Sequence, residues 1–151
     1  MFRNESAEVV RLAGGSRFEL LADGPDTGGV VGANRLVLDV GADGAKPHFH
    51  ARSSEVFYVL GGVLEVLVGD RRTTVAEGGL LVVPPTTPHA FGAAAGSPAD
   101  VLVVMTPGVR RFGYFRHLGR IAAGTDTFEN LVPRQEEYDV HFVDLPDWRS
   151  I

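Results

Sequence analysis

The chain has 151 residues, the size of one compact domain, with a formal net charge of −5 and no cysteine. Disulfides, thiolate catalysis and cysteine metal sites are thereby excluded, and no overall basic character exists to attract a phosphate backbone, so nucleic acid is not an expected partner. Residues 1–15 carry Arg3, Glu5, Glu8 and Arg11 with no apolar leader core, and no stretch approaches the ~18 apolar residues of a membrane helix; a cytoplasmic protein with no membrane partner is expected.

Short β-rich runs punctuated by glycine or proline recur along the chain, the pattern of an all-β sandwich or barrel. In order, strands are predicted at 9–12, 17–21, 34–40, 47–50, 55–60, 63–68, 71–75, 80–83, 89–92 and 101–106. Gly61-Gly62 and Gly69-Asp70 are predicted turns, the second a two-residue hairpin loop of the primed kind. The glycine-rich stretches 23–32 and 92–99 are expected to be exposed, mobile loops. Beyond Pro107 the pattern changes. Over 108–123, Phe112, Phe115, Leu118 and Ile121 or Ala122 follow helical spacing, with Arg110, Arg111, Arg116 and Arg120 mostly on other faces. Asp126 with Glu129 resembles a capping box for a second helical turn that Pro133 ends or restarts, and 138–143 return to β-like alternation.

Chemistry concentrates in His48-Phe49-His50, Glu55 and His89. Residues i and i+2 of a strand share a face, so His48 and His50 converge while Phe49 points away. Glu55 stands at an odd offset from His50, and the polar segment Ala51-Arg52-Ser53-Ser54 is expected to turn or bulge and return it to the inner face. His89 arrives from another strand behind Pro84, Pro85 and Pro88, which restrict its approach. Imidazole and carboxylate donors together suit a first-row divalent metal and leave positions open for a substrate. His117 and His141 stand outside the pattern, and surface or hydrogen-bonding roles are expected for both.

The segment 41–93 resembles the two signature motifs of the cupin superfamily. His48, His50, Glu55 and Gly62 match the first, and Gly78, Pro84 and His89 match part of the second; the departures, Ala42, Thr86 and Ala93, fall on turn or non-ligand positions. The resemblance implies a jelly-roll β-barrel over about 8–106 with a short C-terminal helical extension over about 108–151, one domain in all. It also implies that His48, His50, Glu55 and His89 hold one divalent transition metal per chain, drawn from Fe, Mn, Ni, Co, Cu or Zn.

If Glu55 faces inward, so do Phe57 and Val59, and if His89 does, so does Phe91, giving a largely apolar substrate pocket for a small molecule. A barrel followed by a helical extension after Pro107-Gly108 is also similar to small bacterial cupins of the quercetin dioxygenase kind. This implies a metal-dependent dioxygenase acting on a flavonol-like or other enolisable aromatic compound, with Glu55 as general base. A redox-neutral isomerase, cyclase or lyase and a non-enzymatic small-molecule binder fit the same residues. The aromatic helix is a candidate lid over the barrel mouth. Cupins pair through their sheets, so a homodimer is expected, with 9–12 and 17–21 as candidates for the shared surface.

Overall fold

A computed structural model describes residues 1–149. Its strands are β1 (Glu8–Arg11), β2 (Arg17–Ala22), β3 (Gly32–Leu38), β4 (Asp43–Phe49), β5 (Ser54–Val68), β6 (Arg71–Ala76), β7 (Leu80–Val83), β8 (His89–Ala93) and β9 (Ala99–Thr106). After them come helices α1 (Phe112–Ala122), α2 (Phe128–Leu131) and α3 (Gln135–Tyr138), then the two-residue strand β10 (His141–Phe142). The strands form one curled antiparallel sheet in the order β1-β2-β3-β9-β5-β8-β4-β10, with β6 and β7 also paired to β5. This half-barrel matches the architecture expected of a cupin.

The long strand β5 makes the curl. Its first half pairs with β9 and β7, its second half with β8 and β6, so one strand passes from one layer to the other. The passage lies at Gly61-Gly62, where the β5–β9 register shifts. These glycines do not end a strand, as predicted; they bend one. Gly62 has φ +70°, and a Cβ there would stand 1.9 Å from the Pro98 carbonyl oxygen, so only glycine allows β5 to fold over the neighbouring loop.

Alternation on the strands supplies the core. Leu36 and Leu38 of β3, Phe57 and Val59 of β5 and Val101 and Val103 of β9 all face the same interior. The stretch 23–32, expected to be mobile, is partly built: Gly24–Thr27 forms a 3-10 turn closed by a capping box between Asp23 and Asp26, with Gly24 buried beneath. β8 and β9 shorten the second predicted loop to 94–98.

The C-terminal helices lie against the same core. As the helical spacing predicts, Phe115 of α1 is buried and Phe112, Leu118 and Ile121 are packed at the edge; Tyr114, outside that stripe, is buried as well. Gly119 allows a close approach: a Cβ there would fall 2.6 Å from the Val10 side chain on β1. Arg111 departs from the pattern, because its side chain is buried rather than on an outer face. The predicted Asp126–Glu129 capping box is not formed. Thr127 is the N-cap of α2, while Asp126 accepts bonds from Thr127 N–H, Asn130 and Arg120. No described helix is long and apolar enough to cross a membrane.

Candidate metal centre

Three strands and one tight bend assemble the centre. His48 on β4 sits directly across from His89 on β8 in the antiparallel register. His50 lies just beyond the end of β4, and Glu55 is the second residue of β5. Between them the chain turns as the polar segment predicted, and the turn is tied down: Ala51 and Arg52 donate their backbone N–H groups to the Asp139 carboxylate at 2.8 and 3.1 Å, and Ser53 Oγ donates to the Pro107 carbonyl at 2.7 Å. Phe49 points away and stacks on His141, ring centroids 4.9 Å apart.

His48, His50, Glu55 and His89 are all buried, and one potential ligand atom from each lies within 4.8 Å of the others. The Nε2 atoms of His50 and His89 stand 2.9 and 2.8 Å from the same carboxylate oxygen, Oε2 of Glu55. The outward ring nitrogens complete the picture. Nδ1 of His48 faces the Lys46 carbonyl at 2.6 Å, that of His50 the Asp139 carbonyl at 2.6 Å, and that of His89 the Thr87 carbonyl at 2.9 Å. A carbonyl only accepts, so each Nδ1 donates its proton outward, and wherever a ring carries no second proton its Nε2 lone pair points inward. Three lone pairs and a carboxylate then converge where a proton or a metal ion must sit between them, and this donor set fits a divalent transition metal.

Electrostatics favour the lone-pair state at His48 and His50. Burial, followed by the neighbouring imidazoles His89 and His50, holds His48 well below the usual histidine range, and burial with the Arg111 charge lowers His50. Burial alone would raise the Glu55 pKa, but charge and hydrogen bonds from His50 and His89, acting through protons on Nε2 where the metal would otherwise sit, outweigh it and hold the carboxyl well below its ordinary range.

An enclosed cavity of about 30 Å³ touches His48 and Glu55, with Asn34, Arg111 and Tyr114 as its other polar walls and Phe18, Phe91 and Phe115 among the apolar ones. Phe91 thus borders the space beside the centre, whereas Phe57 and Val59 are buried in the core outside this lining. A larger groove of about 520 Å³ opens along α1 and the start of β4, and Gly44, Ala45, Tyr114 and Leu118 belong to the walls of both spaces. The helix therefore separates the outer groove from the centre. Burial pushes the Tyr114 hydroxyl up to about 12, so it is a neutral donor at this wall.

His117 is buried, not superficial, with Nε2 3.2 Å from the Asp126 carboxylate; His141 is half-buried beside Asp139. Neither joins the centre. Asp139 and Arg111, which do reach it, carried no local sequence signal. Asp139 lies 89 residues from the histidine it contacts and Arg111 lies 61 residues away, so only the fold joins them.

A family model described as the cupin domain matches residues 34–105, which include all four converging residues. No curated protein matches the chain significantly. Among solved structures, KdgF from a Halomonas species is similar at 24% identity with TM-score 0.62, over 76% of this chain and 96% of that one. The polyketide cyclase RemF from Streptomyces resistomycificus is similar at 25% identity and TM-score 0.57, over 70% and 77% of the two chains. A predicted oxalate decarboxylase from Thermotoga maritima shares 15% identity at TM-score 0.63, over 70% and 97%.

Proposed function

Because the chain belongs to the cupin superfamily and turns four electron-pair donors onto one buried point, we propose that it is a metal-dependent enzyme acting on a small enolisable molecule. The observation that carries this reading is the set of three Nδ1–H groups facing backbone carbonyls, which commits all three Nε2 lone pairs to the position shared with Glu55. His48, His50, Glu55 and His89 would hold one divalent transition ion per chain. Such an ion supplies Lewis acidity to a bound oxygen and, if redox-active, a path for electrons to dioxygen.

The protein groups do the rest. The Glu55 carboxylate borders the inner cavity and is held ionised, so it can accept the proton of a substrate hydroxyl or of an acidic C–H. Tyr114 and Leu118 stand between the cavity and the outer groove and keep bulk water from the carboxylate, which supports a lid role for α1. The inner cavity is too small for an aromatic body, but the outer groove beyond Tyr114 and Leu118 has the volume for one, and with α1 as a lid the reading we favour is a dioxygenase acting on a flavonol-like or other enolisable aromatic compound. A redox-neutral cyclase or lyase is the second reading, favoured by the likeness to a polyketide cyclase and a predicted decarboxylase.

Oxygen uptake by metal-loaded protein, measured with a panel of flavonols and other enolisable aromatics, tests the first reading. Consumption of one dioxygen per substrate is expected. Product formation without oxygen uptake transfers the assignment to the second reading, and binding without turnover to a small-molecule binder.

A further inference from the structure

Arg111 is a buried cation that lacks a carboxylate partner. It stands at the N-cap of α1, its backbone N–H is donated to Asp23 Oδ1 at 2.7 Å, and its side chain runs inward to 5% exposure. No carboxylate among the described residues lies within ion-pair distance of the guanidinium, although the more exposed Arg35, Arg116 and Arg149 each have one. Its Nε is buried with no hydrogen-bond partner. Nη1 sits 3.1 Å from His50 Nδ1, but that nitrogen already donates its proton to the Asp139 carbonyl, so the contact sets two donors side by side. The faces of Tyr114 and Phe115, 5.5 and 5.9 Å from Cζ, offer the charge only partial compensation.

A desolvated guanidinium that feels Glu55, Asp139 and Asp23 only at longer range, with no paired carboxylate, is costly to maintain, and its planar fork matches a carboxylate in two-point contact. This one opens onto the cavity it shares with Glu55 and His48. Arg111 also lies outside residues 34–105, in the extension that this chain adds to its cupin domain. We infer that Arg111 is the anion-recognising residue of the site: the substrate carries a carboxylate, which the guanidinium fork holds beside the metal position. The inference rests on the metal-centre reading and narrows the substrate from an enolisable molecule to an enolisable organic acid.

The test titrates oxalate, and its uncharged diamide oxamide, into Ni²⁺-loaded wild type, Arg111→Gln and Arg111→Lys by calorimetry, with metal content and melting temperature measured on each. Oxalate should bind wild type at least tenfold more tightly than it binds Arg111→Gln, with Arg111→Lys between them, and oxamide should bind all three weakly and alike. Arg111→Gln should keep one metal per chain and melt no lower than wild type, since it removes an unpaired buried charge. Oxalate affinities within twofold between wild type and Arg111→Gln, or loss of metal together with loss of oxalate binding, would overturn the assignment. If Arg111→Gln fails to fold, Arg111→Lys decides, and an unchanged oxalate affinity there counts against the inference. If wild type takes up no metal, the metal-centre reading fails by itself. Oxalate is then titrated into the metal-free proteins, where an affinity that does not depend on Arg111 overturns this inference as well.

Discussion

The carbonyl oxygen of Asp139 lies 2.6 Å from Nδ1 of His50, across 89 residues of chain. The same residue accepts the N–H groups of Ala51 and Arg52 on its carboxylate, so one position in the C-terminal extension fixes both a candidate ligand and the bend that follows it. The extension is part of the site's support as well as a wall over it.

Asp139 has φ +52°, a conformation that asparagine tolerates better than alanine. Asp139→Ala should lower stability by about 2–4 kcal/mol, because two charge-assisted bonds in a buried place are lost. It should also weaken metal binding by roughly tenfold or more, because the bend between His50 and Glu55 loses the carboxylate that ties it down, while the backbone carbonyl facing His50 remains. Asp139→Asn should do less on both counts. Denaturant unfolding and chelator competition on the two variants read this, and wild-type metal affinity in Asp139→Ala would refute the supporting role.

Glu55→Gln keeps the shape of the side chain and one donor oxygen while removing the base. Turnover should fall by about 10²-fold or more, with metal content reduced far less. Turnover and elemental analysis on the same preparation separate the two effects, and unchanged turnover removes the general-base role.

Acidification should destabilise the metal-free protein in two stages. His48 and His50 have folded pKa values below the ordinary ~6.5, so between those values the unfolded chain binds more protons and stability drops as the pH falls below ~6.5. Glu55, also depressed, acts in the same direction at lower pH: its contribution is present above ~4.5 and is lost as the pH falls through its folded pKa. Melting curves at pH 7.5 and 5.5 should differ, with a smaller difference in His48→Ala. A flat profile in wild type would mean that the imidazoles are not held neutral.

Thr86 occupies a position where the cupin motif has glycine, and it adopts φ +64° while its N–H is donated to the His50 carbonyl at 2.7 Å. A β-branched residue is strained there by about 1–2 kcal/mol, partly offset by the greater freedom glycine has in the unfolded chain. Thr86→Gly should therefore raise the melting temperature slightly with metal binding intact. A clear decrease would show that the turn is not strained.

The outer face where β5 pairs with β7 exposes Tyr58, Leu60, Leu80 and Val82, with Leu80 at 63%. This apolar face is a better candidate for the homodimer surface than β1 and β2, because Phe18 and Leu20 of β2 are already committed to the core. Light scattering at micromolar concentration should give a dimer for wild type and a monomer for Leu80→Lys/Val82→Lys. A wild-type monomer would exclude this assembly.

What was legible in the sequence was what is local. The sequence predicts β7 with its observed bounds, and the HxH pair and the reset to Glu55 follow from alternation and a polar bend within eight residues. Gly61-Gly62 reads as a turn because glycine pairs mark turns and bends alike, and only the pairing of both halves of β5 distinguishes them. Helical periodicity puts Arg111 with its neighbouring arginines on the outer faces and cannot register that an N-cap side chain runs into the barrel.

Elemental analysis of protein purified without a polyhistidine tag tests the central claim most directly. One divalent transition ion per chain in wild type, largely absent from His48→Ala, His50→Ala and His89→Ala while their melting shows a folded barrel, is the predicted result. A metal-free wild type under metal-replete expression, or full occupancy in His48→Ala and His89→Ala, would contradict it.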